Sequence, residues 1–211
     1  HLLAGARAAG TRRFIAQSYG NWNYARTGTA LKTEEDPLDP TPPRNQTQTL
    51  KAIRYLENAV LSTDGIEGVA LRYGNLYGPG TGFAADGDIV ASVRKRALPI
   101  VGDGAGVWSF IHVADAASAA IAAIEHGAPG IYNIDDDEPA PVATWLPELA
   151  RIVGAKPPIH ISVWLARMIV GEVGVSMMTQ IRGTSNAKAK RELDWKPGYS
   201  SWRQGFRTGL G

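Results

Sequence analysis

The chain has 211 residues, 22 Lys and Arg against 20 Asp and Glu, and no cysteine. A net charge of +2 with 44% hydrophobic residues fits a globular domain and is too small to point to nucleic acid. The missing cysteines exclude disulfide scaffolds, thiolate metal sites and cysteine nucleophiles, and they suit a reducing, cytoplasmic setting.

In chain order, residues 2–9 are rich in Ala and Leu and read as a helix stopped by Gly10, and 13–16 as a short strand. Residues 19–43 form a long irregular segment containing Pro37, Pro40, Pro42 and Pro43, of a length usually reserved for function or disorder. Leu50, Ile53, Leu56 and Val60 predict a helix over 46–61. A strand at 68–72, a sharp loop at 77–80, a helix at 88–97 and strands at 98–102 and 108–113 follow. Next come an Ala-rich helix at 115–125, a strand at 130–134, an amphipathic helix at 142–153 ended by Gly154, and a strand at 159–161. From Ser162 the chain reads as a buried helix or helix pair. Arg167 and Glu172 interrupt it too often for a membrane span. A basic helix at 187–193 precedes Trp195-Lys196-Pro197. Such alternation predicts an α/β, doubly wound parallel sheet, Rossmann-like, with helices on both faces.

An opening helix is out of place in that fold, which starts with a strand and a glycine-rich phosphate turn. Gly80-Thr81-Gly82-Phe83-Ala84-Ala85 formally matches G-x-G-x-x-A, but turn residues precede it and Asp86-Gly87 interrupts the helix start. Residues 102–106 run strand to strand and read as a hairpin loop. His1, His112, His126 and His160 lack metal-ligand spacing, and 135–138 reads as a solvated acidic loop, so no metal site is expected.

Four segments together carry a resemblance. They are Arg13-Phe14-Ile15-Ala16-Gln17-Ser18; Leu71-Arg72-Tyr73-Gly74-Asn75-Leu76-Tyr77-Gly78-Pro79-Gly80; Val101-Gly102-Asp103-Gly104 followed by Phe110-Ile111-His112-Val113-x-Asp115; and Ile131-Tyr132-Asn133-Ile134 with 185–195 near the end. In this order the chain resembles the extended short-chain dehydrogenase/reductases, the NAD(P)-dependent epimerase/dehydratase group. The resemblance implies a chain short of about a hundred N-terminal residues, those that hold the cofactor's phosphates. It implies NAD or NADP as cofactor, with Gln17, Tyr73 and Asn75 beside it. It also implies a partial nucleotide-binding domain over 1–76 and 108–126, and a substrate lobe over 77–107 and 127–211. Homodimerisation through the helices at 2–9 and 46–61 is expected on the same ground.

This sequence departs from the family at the catalytic pair, Y-x-x-x-K on the long helix, where Lys keeps the Tyr acidic enough to exchange a proton with substrate. Aligning Lys51 with the family Lys puts Thr47 at the Tyr position. Aligning Glu57 with a glutamate frequent later in that helix puts Thr49 and Ile53 on the pair. The strand's catalytic Ser/Thr is Ser18, or Tyr19 in the neighbouring alignment, and Tyr19 and Tyr24 could bring a phenol from the long loop. Where nucleotide-sugar enzymes carry a diphosphate-binding Arg, Trp108 and Ser109 stand, which favours a smaller or more apolar substrate. The expected site therefore comprises Ser18 and Lys51 as catalytic residues, with Asn75, Trp108 and His112 toward the substrate. The expected function is NAD(P)-dependent oxidoreductase, epimerase or dehydratase chemistry on a small molecule, without nucleic acid or membrane. A cofactor-binding sensor without chemistry, or an inactive fragment, is the alternative.

Overall fold

Val69, Ala70 and Leu71 are fully buried because their strand is the middle one of the main sheet. The structure, a computed structural model, describes residues 1–211. In chain order its elements are α1 (Leu2–Ala8), β1 (Arg13–Tyr19), β2 (Leu31–Lys32), α2 (Thr47–Leu61), β3 (Glu67–Tyr73), β4 (Asn75–Tyr77), α3 (Asp88–Arg94), β5 (Ile100–Val101), β6 (Val107–Trp108), β7 (Phe110–His112), α4 (Val113–Glu125), β8 (Gly130–Ile134), β9 (Ala140–Pro141), α5 (Val142–Ile152), β10 (His160–Ile161), α6 (Val163–Thr179), β11 (Gly183–Thr184), α7 (Ala187–Glu192) and α8 (Trp202–Thr208).

The main sheet is parallel in the order β1–β3–β8, with Ser18 opposite Arg72 and Arg72 opposite Asn133. Strand alternation splits β3 between two faces. Val69, Leu71 and Tyr73 join Ala116, Ala119 and Ala123 of α4 in one apolar cluster. On the other face, α2 packs so closely that a Cβ on Gly68 would sit 2.0 Å from the Val60 carbonyl oxygen. Four two-stranded pairs complete the strand set: β4–β7, β5–β10 and β2–β11 are parallel, and β6–β9 is antiparallel. A second, larger cluster gathers Tyr77, Phe83, Phe110, Trp145, Trp202 and Phe206 around α5 and α8. The Gly80–Ala85 segment belongs to this cluster, since Phe83 packs on Trp145 and Phe206 rather than opening a phosphate turn.

The structure differs from the sequence reading in several places; among them, β5 and β6 pair with β10 and β9, so residues 102–106 do not close a hairpin. Strand β8 is the third strand of the nucleotide-type sheet, so residues 130–134 lie with 13–19 and 67–73 rather than in the substrate lobe. The strand expected at 108–113 breaks at Ser109, because Trp108 before it pairs with β9 and Phe110 after it pairs with β4; the Ser109 hydroxyl accepts from Thr184 N. Helix α6 divides at Gly171, where φ is +68°. Its first half leaves Trp164, Met168 and Ile169 exposed and sends only Val163 and Ala166 to the core, so that half is not buried. Helix α8, unforeseen, carries Trp202 and Phe206 into the larger cluster. No helix is long and apolar enough to cross a membrane.

Gly205 of α8 marks the tightest joint, because a Cβ there would fall 2.1 to 2.4 Å from the Tyr77 ring. Gly205→Ala is expected to lower stability by about 1–3 kcal/mol through overpacking. Gly5→Ala in α1 meets nothing within 4 Å and is expected to be neutral or stabilising by up to about 1 kcal/mol. Urea unfolding of both variants checks the pair; equal effects would show that the joint is not tight.

Candidate functional site

Ligands of open α/β sheets bind at the carboxyl ends of the strands. Here the ends of β1 and β3 are tied by one buried network. Arg72 donates from Nε and Nη2 to the two oxygens of Glu57 at 2.7 and 2.6 Å, and from Nη1 to Tyr24 Oη at 2.7 Å. Tyr24 Oη in turn donates to Asn133 Oδ1 at 2.7 Å, and the Asn133 N–H donates to Glu34 at 2.7 Å. Ser18 Oγ donates to Glu57 Oε1 at 2.6 Å. A serine hydroxyl has one hydrogen, so Ser18 turns lone pairs, not a proton, toward any further partner. Burial pushes the Tyr24 phenol up to about 12 in spite of the neighbouring Arg72 charge.

Beside this network an open cleft of about 470 Å³ lies between β1 and α2. Gln17, Ser18, Tyr19 and Trp22 line it from the strand and the turn after it; Thr49, Ala52, Ile53 and Leu56 line it from the helix. The helix residues fall at i, i+3, i+4 and i+7, one face of α2. Thr49 and Ile53 are thus the pair that faces Ser18. Thr47 and Lys51 lie off that stripe, with Lys51 exposed. The Glu57–Arg72 contact fits the same alignment, one turn beyond Ile53. No charged side chain lines the cleft.

The turn after β1 is built with effort. Gly20 N donates to the Tyr73 carbonyl at 2.9 Å, and a Cβ on Gly20 would press within 3.3 Å of Arg72. Asn21 has φ +111°, a strained conformation for a side-chain-bearing residue, and both its amide atoms are buried without partners. Asn23 Nδ2 closes the turn on the Tyr19 carbonyl. Tyr19 Oη donates to Asn75 Oδ1 at 3.1 Å, and Asn75 Nδ2 donates to the Ser109 carbonyl at 3.0 Å. Burial, aided by Asp135, raises the Tyr19 phenol to about 12. It stays a neutral hydrogen-bond donor at physiological pH.

Of the other expected site residues, Tyr73 is buried under α4 and donates to the Ala116 carbonyl. Trp108 fills the larger core and donates from Nε1 to Met177 O at 2.9 Å. His112 caps α4, accepting from Ala114 N at Nδ1, while Nε2 meets Gly209 O. Asp115 accepts from Gly198 N and Tyr199 N and anchors the C-terminal segment. Only Gln17 and Ser18, with Asn75 reached through Tyr19, meet at the cleft. Trp22 was not singled out from the sequence; a lone Trp in a long loop carries no periodic signal.

Asp135, next to the Gly74 turn and fully buried, accepts from Thr184 Oγ1 at 2.7 Å and faces no cation. Burial raises its carboxyl to about 8, with Thr184 opposing and Glu34 adding to the shift. Asp136 is raised in the same direction, chiefly by burial. The acidic run at 135–138 therefore begins in the core, not in a solvated loop. The folded protein keeps the Asp135 proton where the unfolded chain, with a pKa near ~4, has lost it. Its contribution to stability is fully present below that value and is lost as pH rises toward about 8. Asp135→Asn is expected to unfold in urea with a midpoint that falls less between pH 5 and 8 than the parent's. Parallel curves would rule out a buried proton at this residue. Arg72→Met, which strands Glu57, is expected to cost about 3–5 kcal/mol, and adding Glu57→Leu is expected to recover most of it. A single mutant as stable as the parent would count against the pair.

Residues 1–135 match the model of the NAD dependent epimerase/dehydratase family. Over 207 residues, 98% of this chain and 67% of the relative, the chain is 45% identical to a 3-diazoavenalumate denitrifying reductase from a Streptomyces species. UDP-glucose 4-epimerase from Thermotoga maritima, solved with UDP-glucose, superposes with a TM-score of 0.72 at 25% identity, covering 99% of this chain and 65% of that one. A human epimerase family protein solved with NADPH shares the fold, with a TM-score of 0.75 at 17% identity over 94% of this chain and 65% of its own. This chain spans about two thirds of the length of these relatives. On the family match and the 45% relative together, the chain belongs to the NAD dependent epimerase/dehydratase family.

Proposed function

We propose that the protein is an NAD(P)H-dependent reductase that replaces a diazo group on a small aromatic acid with hydrogen. The observation that carries this reading is the cleft: Thr49 and Ile53 line it across from Ser18, and these are the residues that one of the two alignments gives to the family's Tyr and Lys. Ketone reduction builds an alkoxide that needs a proton as it forms, and a Thr hydroxyl is far too weak an acid to replace a phenol. Ser18, its hydrogen held by Glu57, offers no donor either. A diazonium electrophile removes the need. The new C–H bond forms with the hydride pair, the C–N bond breaks with its electrons going to nitrogen, and dinitrogen leaves. The substrate's positive charge cancels the hydride's negative charge, so no oxyanion develops. The relative described as a 3-diazoavenalumate denitrifying reductase supports the same class of substrate.

A nicotinamide suits the cleft on its own residues. Gln17 offers an amide, Thr49 a hydroxyl, and Ala52 with Ile53 an apolar bed. Bound there, it would supply the hydride. The chain's part is to exclude water with Ile53 and Leu56, to orient the ring with Gln17, and to place no base where it would consume the electrophile. Trp108 and Ser109, at the positions of the diphosphate-binding Arg of nucleotide-sugar enzymes, support a substrate without a diphosphate.

Incubation with NADPH or NADH and a diazotised aminobenzoate is expected to consume reduced nicotinamide and release dinitrogen and benzoate in equal amounts. Thr49→Val is expected to keep kcat within about threefold, because no proton transfer is asked of that position. Turnover of ketones but not of the diazo acid, or a loss of about a hundredfold or more in Thr49→Val, would overturn the reading.

A further inference from the structure

We infer that Trp22 and Tyr19 form a preorganised aromatic wall that selects the cationic ring of the substrate; this rests on the diazo-reductase reading of the same cleft. The two rings lie with centroids 5.9 Å apart at 41°, both half-buried and both lining the cleft. The remaining lining is neutral: one amide, two hydroxyls and three aliphatic side chains, without a carboxylate. A cation entering such a site meets no opposite charge; the π faces are its broadest electrostatic complement, and indole is the strongest of these.

The wall is held still before any ligand arrives. Tyr19 is fixed at its hydroxyl by Asn75, which is itself fixed by the Ser109 carbonyl, and at its backbone by Asn23. Trp22 sits at the crest of that closed turn, two residues from the Gly20 approach to β3 and next to strained Asn21. A turn that accepts a φ of +111° and two unpaired amide atoms would relax if its shape were unimportant. It holds the Trp22 ring along the cleft, half-buried and packed on the larger apolar cluster behind it, and this ring is the group a flat electron-poor ring would stack on.

The test uses the NADP-saturated protein and two stable probes, N-methylquinolinium as a flat cation and naphthoate as a flat ring without positive charge. Isothermal titration calorimetry reads binding independently of turnover and of the indole itself. The cation is expected to bind about tenfold tighter than naphthoate. Trp22→Phe is expected to retain most of that preference and Trp22→Leu to abolish it, with a KM for the diazo acid raised about tenfold. Equal affinity for the two probes, or an unchanged preference and KM in Trp22→Leu, overturns the wall. Absence of diazo turnover in the parent alongside intact cation selectivity leaves the wall standing and removes the proposed reaction instead.

Discussion

Glu57 is the residue on which the active edge of this molecule hangs. One carboxylate, removed from water, collects hydrogen bonds from Ser18 on β1 and from Arg72 on β3, while its own helix α2 covers both strands. Arg72 extends the tie to Tyr24 in the long loop, and Tyr24 extends it to Asn133 on β8. Every strand of the main sheet and the principal irregular segment thus meet at a single ion pair. Breaking either partner leaves a buried charge, so the arrangement is intolerant of half-measures. The same tie spends the Ser18 hydrogen, and this is why the site's chemistry cannot be read from the presence of a serine alone.

Much of the fold was legible because burial writes itself into sequence. The run Val69–Ala70–Leu71 could only be a covered strand, and the Leu50–Val60 spacing set α2 within a residue of its observed start. What escaped depended on long-range partners. Whether residues 130–134 joined the sheet or the lobe was decided by pairing with β3, which local pattern does not encode. The break at Ser109 marks where the chain changes partner strand, from β9 to β4. The first turns of α6 were apolar enough to suggest burial, yet Trp164, Met168 and Ile169 lie exposed ahead of the break at Gly171.

At the site, the family motif supplied the neighbourhood and left its centre ambiguous. Two alignments of α2 were open, and only the stripe of Thr49, Ala52, Ile53 and Leu56 along the cleft places Thr49 and Ile53, rather than Thr47 and Lys51, opposite Ser18. Tyr73, Trp108 and His112 match motif positions and spend their polar atoms on backbone groups. Motif identity reports where a residue sits on the fold; the direction and occupancy of its hydrogen bonds decide what it can do there.

The Ser18–Glu57 contact also limits what this scaffold could be redesigned to do. Grafting a tyrosine at 49 and a lysine at 53 would rebuild the outline of a ketone-reducing pair, yet the serine beside it would still present only lone pairs to a carbonyl oxygen. A designer would have to release that hydrogen first. The carboxylate holding it is the one that balances Arg72 at the middle of the sheet. In this molecule, catalytic repertoire and structural integrity share one proton.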